Sequence, residues 1–340
     1  MKIIFDDTAI KESLWPLTAT RNAADIRVGI LTIREKWELL LSVFHSRITE
    51  VTVDTGIVPS KKSLLSINEK GIPVLLDDKD SSKTISHLSD IFQINDWAIR
   101  KDFELLTKGW HSQKISSTNQ LIAPENIFLE EGASVECSTI NASTGPVYIG
   151  KDATVMEGCL IRGPFALCEG ATLKMGSKVY GATTIGPYCM AGGEIKNSIL
   201  FGYSNKAHDG YLGDSVIGEW CNLGAGTTNS NVKNTAADVK LWNNATKEFT
   251  TAGLKAGLIM GDYSRAAINT SFNTGTVVGV CCNIFGEGFP PKLVNNFTWG
   301  KEKYIFEKVL QDIDNWKKLK GKNITKRETA ILKNLYKQSI

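Results

Sequence analysis

The chain has no run of 18 or more apolar residues, so it offers no candidate for a membrane-spanning helix. Its opening, MKIIFDDTAI, places acids where a secretory peptide needs an uncharged stretch, and the expectation is a cytoplasmic protein with no membrane partner. The cysteines Cys137, Cys159, Cys168, Cys189, Cys221, Cys281 and Cys282 form no C-x-x-C pair and are odd in number. They read as reduced small hydrophobes, which excludes a disulfide framework and a zinc site, and no metal ligand is assigned. Charge of one sign is also scarce: 39 Lys and Arg stand against 36 Asp and Glu. The small excess is concentrated in residues 301–340, with 11 basic residues against 5 acidic. Neither aromatic and basic interleaving nor a reading motif accompanies it, so no nucleic-acid partner is expected.

What is present is a beat of six. Ile149, Val155, Ile161, Leu167, Leu173, Val179 and Ile185 fall at every sixth position, each followed four residues later by Ala153, Cys159, Phe165, Ala171, Ser177, Thr183 or Cys189. All of these but Phe165 are small. Six matches neither the helical period nor strand alternation; it is the hexapeptide pattern of a parallel β-helix, three hexapeptides to a triangular turn. Stacked turns bond to one another about 4.8 Å apart, with aliphatics inside and small residues, helped by Gly150, Gly170 and Gly186, near the corners. Leu129 and Val135 start the beat, and Met260, Ala266, Phe272, Val278 and Ile284 resume it.

With 340 residues, about two domains are expected. Residues 1–118 read as a small α/β unit, with strands at KIIFDD (2–7) and GIPVLLDD (71–78) and a helix carrying Trp37, Leu40 and Leu41 behind a Thr32-x-x-Glu35 cap. Residues 112–120 link it to the β-helix, taken as 119–290, with irregular segments near 190–211 and 228–257, where a solenoid places its functional loops. Residues 291–340 form a basic helical tail. Ile305, Val309, Ile313 and Trp316 have helical spacing, Thr325 and Glu328 cap a second helix through Ile331, Leu332 and Leu335, and the pair is expected to cover the open end of the coil. The fold class is therefore mainly β: a left-handed parallel β-helix with a small α/β unit before it and helices after it.

The chemistry is concentrated in KAHDGYLGDSVIGEWCNLGAGTTNSN, residues 206–231. K-A-H-x-x-Y-L-G-D followed by N-x-G-A-G-T resembles the acetyltransferase half of the bifunctional N-acetylglucosamine-1-phosphate uridylyltransferase/glucosamine-1-phosphate acetyltransferase family and its archaeal sugar-1-phosphate nucleotidyltransferase relatives. EIKNSI (194–199), DSVIGE (214–219) and RAAIN (265–269) extend the resemblance over about residues 125–285. It implies an acyl-CoA-dependent N-acetyltransferase for an amino-sugar phosphate or nucleotide sugar, with acetyl-CoA as co-substrate. His208 would take the proton from the attacking amine, a task suited to an imidazole that titrates near neutrality. Tyr211 and Asn222 would hold the sugar and Lys196 its phosphate, while Ala225, between Gly224 and Gly226, and Asn231 would lie against the acyl donor. The resemblance also implies a homotrimer with sites in grooves between subunits. Where the related enzymes carry a phosphate-binding arginine this chain has Tyr180, with Lys178 two residues away and Arg162 a coil earlier as the available cations. The segment 232–257, with Trp242, reads as a lid or a surface loop.

The N-terminal unit carries a fainter likeness. W-P-L-T-x-T-R (15–21) and DIRVGILTI (25–33) resemble the start of sugar nucleotidyltransferases, but DDTAIKES stands where a glycine-rich loop would cradle a triphosphate. A degenerate unit is expected, a sugar-nucleotide binder or a structural cap. Mg²⁺ enters only if this unit is active, and the acidic clusters Asp6-Asp7 and Asp77-Asp78-Asp80 read as turn residues. Two other readings stay open: a nucleotidyltransferase working through this unit, and a non-catalytic trimeric scaffold that binds sugar nucleotides.

Overall fold

The computed structural model of the protein describes residues 2–42, 49–68, 70–76 and 80–339. Asp77 and Asp78 of the second acidic cluster lie outside the described residues. A parallel β-helix with three faces forms the body of the molecule. The first face has six strands, from Gln120–Ile122 to Tyr211–Gly213; the second has nine, from Ile127–Leu129 to Leu293–Val294. The third has ten, from Ser134–Val135 to Glu302–Lys303, and only its last pair is antiparallel.

Register follows the six-residue beat. On the second face Leu129, Ile149, Leu167, Ile185, Leu200, Ile217, Met260, Val278 and Val294 are successive partners, one column of the interior. Every aliphatic in the two sequence runs and every one of the seven residues four places on is buried. The segment 190–211 is more regular than its sequence suggests, since Met190–Ala191, Glu194–Lys196, Ile199–Leu200 and Asn205–Lys206 all join the sheets. The coil is merely shortened there: Ile185 and Leu200 are partners across fifteen residues instead of eighteen.

The two sides of the second face differ from those of the first. Outward residues of the second face, Ile199, Val216, Ile259 and Val277, are buried in one cluster with Leu17, Ile26, Trp37 and Phe92 of the N-terminal unit. That unit pairs Lys2–Asp6 with Glu50–Asp54 in parallel and packs helices α1 (Ile33–Ser42), α2 (Leu88–Gln93) and α3 (Asn95–Thr107) around them. The expected cap closes α1: the Thr32 N–H donates to Glu35 Oε2 at 2.6 Å and the Glu35 N–H to Thr32 Oγ1 at 3.2 Å. Outward residues of the first face, such as Leu160, Arg162 and Lys178, are exposed.

The segment 232–257 is neither lid nor loose loop. Val239–Asn243 and Glu248–Gly253 form an antiparallel hairpin, with Val239 and Leu241 buried in the shared cluster. Gln93 donates to the Ala252 carbonyl at 3.0 Å and Asn244 to Glu12 at 2.6 Å, so the hairpin braces the N-terminal unit against the coil.

The C-terminal helices α4 (Phe306–Lys318) and α5 (Lys326–Gln338) form as expected, α5 behind its Thr325–Glu328 capping box. They do not cover the open end of the coil. Phe306 packs on Phe297, Lys317 lies over the Trp220 ring at 4.6 Å, and Lys320 donates to the Tyr188 carbonyl at 2.6 Å, so α4 runs back along the edge between the second and third faces. That edge is why. Tyr188, Tyr203, Trp220, Tyr263 and Phe297 stand there in the left-handed backbone region, with φ of 57°, 62°, 59°, 61° and 58°. Such bulky residues carry a conformational cost of roughly 1–2 kcal/mol each. Stacking of Tyr188 on Tyr203 (5.1 Å) and Tyr203 on Trp220 (4.3 Å), with helix packing above, offsets it.

Candidate active site

The opposite edge, where the chain passes from the third face to the first, carries His208. Its turn follows Asn205–Lys206 and leads into Tyr211–Gly213. His208 is exposed, and among the described residues its imidazole makes no hydrogen bond and no ion pair. The turn beneath ends in Gly192 and Gly193, and the turn above is Gly224, Ala225 and Gly226. These turns lie close enough that a Cβ on Gly193 would stand 2.9 Å from the His208 carbonyl oxygen, and one on Gly210 (φ +123°) would stand 2.1 Å from that of Thr227. Backbone bonds tie the three together: Gly192 N–H donates to Lys206 O (2.6 Å), Glu194 N–H to Gly210 O (3.2 Å) and Gly226 N–H to Asp209 O (3.0 Å). An exposed ring therefore sits on a fixed base.

The first face brings several expected binding residues beside this turn. Lys178, Glu194 and Tyr211 are register partners in consecutive coils, and Tyr180 and Lys196 form the adjacent column. The Lys196 ammonium lies 5.6 Å from the Tyr180 ring centre. Tyr180 donates to Glu194 at 2.6 Å, and that bond, with burial, pushes its hydroxyl up to about 12. Asn231 donates to the Tyr211 hydroxyl at 3.1 Å and also to Asp214, whose other oxygen accepts from Asn197 at 2.7 Å. Burial, then Asp214, drives the Tyr211 hydroxyl far above its ordinary value, so it stays protonated.

The remaining expected residues are placed differently. Asn222 belongs to the third face, half-buried between its register partners Asn205 and Arg265, and its side-chain oxygen accepts from Asn205 at 3.4 Å, a neighbour that Lys320 in turn bonds. Ala225 is half-buried in the turn directly above His208. Arg162 is on the first face but belongs to the coil below Lys178, since Leu160 is the partner of Lys178. Sequence reasoning missed Glu194 within the Lys178 to Tyr211 column, and it missed Lys206. Leu200, Lys206 and Leu212 continue the beat of six, which puts a lysine in an aliphatic slot.

The N-terminal motif is built into an interface. Leu17 is fully buried, Thr18 donates to the Lys11 carbonyl, and Arg21 pairs with Asp262 and, at 3.0 Å, with Glu219 of the coil. Asp6 accepts from Thr8 N–H (3.0 Å), a turn contact, whereas Asp7 accepts from Ala23 N–H (3.1 Å) and ties the strand end to a segment sixteen residues on. A cleft of about 530 Å³ beside Arg21, Arg34 and Arg327 and a larger one of about 870 Å³ beside Trp15 and Asn334 separate this unit from α5; neither includes His208. Among the described residues no cluster of His, Cys, Asp and Glu has the arrangement of a metal site, and no helix is long and apolar enough to cross a membrane.

Residues 2–74 match the family model described as sugar nucleotidyl transferase. The chain is 33% identical over 118 residues to the bifunctional protein GlmU of Methanocaldococcus jannaschii, covering 34% of this chain and 28% of that protein. It is 28% identical over 152 residues to a bifunctional sugar-1-phosphate nucleotidylyltransferase/acetyltransferase of Sulfurisphaera tokodaii, covering 42% and 35%. Against the bifunctional protein GlmU of Synechococcus elongatus the identity is 23% over 220 residues, covering 58% and 48%. The matched stretches thus span 28–48% of these curated relatives, less than half of their length.

Proposed function

We propose that the chain is an acyl-CoA-dependent N-acetyltransferase whose acceptor is an amino-sugar phosphate or an amino nucleotide sugar, with His208 as general base. The observation that carries this reading is the exposed imidazole, unpartnered among the described residues, on a turn fixed by backbone bonds and next to the strands of Lys178, Lys196 and Tyr211. In the reaction the acceptor nitrogen attacks the thioester carbonyl of acetyl-CoA while His208 removes its proton. The tetrahedral adduct collapses, the carbon–sulfur bond breaks, and the thiolate leaves with the proton returned to it. Tyr211, kept protonated by burial and Asp214 and oriented by Asn231, donates to a sugar oxygen, and Asn222 on the third face is the second sugar contact. The acyl donor lies over Ala225, where the small side chain leaves the turn accessible.

Phosphate recognition falls to Lys178 and Lys196. Arg162 is three coils from Tyr211, roughly 14 Å along the axis, too far to share a single sugar phosphate with it. Two lysines offer point charges without the fork geometry of arginine, so the acceptor is held by charge more than by orientation. A cytoplasmic homotrimer completes the reading, because the first face and the His208 edge are uncovered in one chain and a cleft closed by a neighbouring copy would exclude water from the thioester.

Thiol release from acetyl-CoA should appear with glucosamine-1-phosphate, galactosamine-1-phosphate or a nucleotide form of either, and not with the matching hydroxyl sugar. His208→Ala should lower it by about 10²–10⁴ while sedimentation shows the same assembly; undiminished turnover would remove His208 from the role. A second reading rests on the match of residues 2–74: nucleotidyl transfer through the N-terminal unit. It requires Mg²⁺-dependent pyrophosphate release that survives loss of His208, and the occupation of Arg21 by Asp262 and Glu219 weighs against it. A scaffold without activity would leave acetyl-CoA unbound in calorimetry.

A further inference from the structure

The interior of the coil is built mainly from Ile, Leu, Val, Ala, Cys, Phe and Met, with small hydroxyl residues such as Ser177 and Thr183 at its corners. Lys206 stands among them. On the third face its register partner beneath is Ala191, below which come Leu173, Val155 and Val135, all interior and apolar. Lys206 is 1% exposed and has no carboxylate within ion-pair distance among the described residues. Burying an ammonium without a counter-ion is costly, and the group responds: desolvation, opposed in part by Asp209, lowers it to about 8. An aliphatic residue in this slot, as in the neighbouring coils, would carry no such cost.

What the ammonium reaches explains its presence. Nζ donates to the Gly192 carbonyl at 3.0 Å and to the His208 carbonyl at 2.5 Å, one acceptor in each of two successive turns. The His208 carbonyl is thus held from inside the coil by Lys206, while the missing side chain at Gly193 leaves it room beneath. That carbonyl carbon is bonded to the Cα that bears the imidazole, so anchoring it limits how far the backbone at His208, and with it the root of the side chain, can shift. Turning it would swing the imidazole relative to Tyr211 and Ala225, both of which are fixed by other bonds.

We propose that Lys206 is a positioning residue, an ammonium inside the coil that ties the carbonyl of His208 to that of Gly192 and holds the imidazole in one place at the edge. The proposal rests on the reading of His208 as the base. Lys206 touches neither acceptor nor donor, so its loss should act on turnover and leave binding nearly untouched.

The test is Lys206→Met, which keeps the length of the side chain in an apolar column and removes the donor. With the amino sugar that the wild-type protein uses, kcat should fall by about 10–10², the effect of misplacing a reacting group by about 1 Å, with KM for both substrates changed by less than about threefold. Hydrogen exchange gives the second readout. The amides of Glu194 and Gly226, whose acceptors are the turn's Gly210 and Asp209 carbonyls, should exchange at least about tenfold faster in the variant, while amides in the distant strands Val147–Ile149 and Phe165–Leu167 keep their wild-type rates. Wild-type kcat, wild-type protection at Glu194 and Gly226, or faster exchange throughout the coil would each overturn the proposal, the last by making Lys206 a general structural residue. If the wild-type protein releases no thiol with any amino sugar, the acyltransfer reading fails, and the exchange measurement still decides whether Lys206 holds the turn.

Discussion

Lys206, buried, and Arg21, largely covered, are cations with opposite consequences for stability. In the unfolded chain a lysine titrates at 10.5, and in the folded chain Lys206 does so at about 8, so between these values the unfolded state binds more protons. Stability from this residue therefore rises as pH climbs from 8 to 10.5, and below 8 the full cost, about 3 kcal/mol, is present. Comparing urea unfolding of Lys206→Met with the parent should show the difference moving toward the variant by about this amount on going from pH 10.5 to pH 7; a difference independent of pH would mean that the ammonium is not desolvated. Arg21 instead neutralises the buried Asp262, so Arg21→Ala should cost about 3 kcal/mol by leaving that carboxylate without its cation, measurable in the same denaturation assay. The two residues differ equally in how they show in the sequence. Lys206 sits in phase with Leu200 and Leu212, but a charged residue in an apolar series reads as a break in the series. Arg21 sits in a motif whose likeness points to ligand binding, and only the fold reveals Asp262, 241 residues away, as its partner.

Most strands of the second face read as unbroken apolar runs, VYI at Val147–Ile149 and FAL at Phe165–Leu167, because both of their sides are covered; Thr183–Ile185, TTI, departs from this. Those of the first face alternate: LIR at Leu160–Arg162 and KVY at Lys178–Tyr180 bury only the middle residue. The pattern thus encodes which face is roofed, while what roofs it depends on contacts between segments far apart in the chain. The hairpin at Val239–Asn243 shows the limit. Its alternation is strand-like, yet it lies in an interruption of the coil, and neither the beat nor a turn signature says that Leu241 packs against the N-terminal unit. Leu167→Ala, in the centre of an interior column, should destabilise by about 2–5 kcal/mol, and Thr172→Ala, directed outward on the third face, by no more than about 0.5 kcal/mol. Similar losses for the two would contradict the assignment of inside and outside.

Solenoids ordinarily behave as one-dimensional stacks whose stability is a sum over neighbours. This one is bridged lengthwise. The N-terminal unit packs on outward residues from Ile199 to Val277, and α4, about 20 Å long, together with Lys320 just beyond it, spans five coil spacings from Phe297 back to Tyr188. The first forty residues and the last helix even line the same clefts, a neighbourhood that no local pattern could announce. Trp37 reports on one bridge and Trp220 on the other. Their fluorescence and the far-ultraviolet signal of the coil should therefore change together in a single denaturation transition, and separated midpoints would show the parts to be independent. The stack is a ladder with rails fastened across many rungs. It cannot fray from its ends one rung at a time, and a turn near the middle, such as the one bearing His208, is shielded from the melting that erodes the tips of an unsupported spiral.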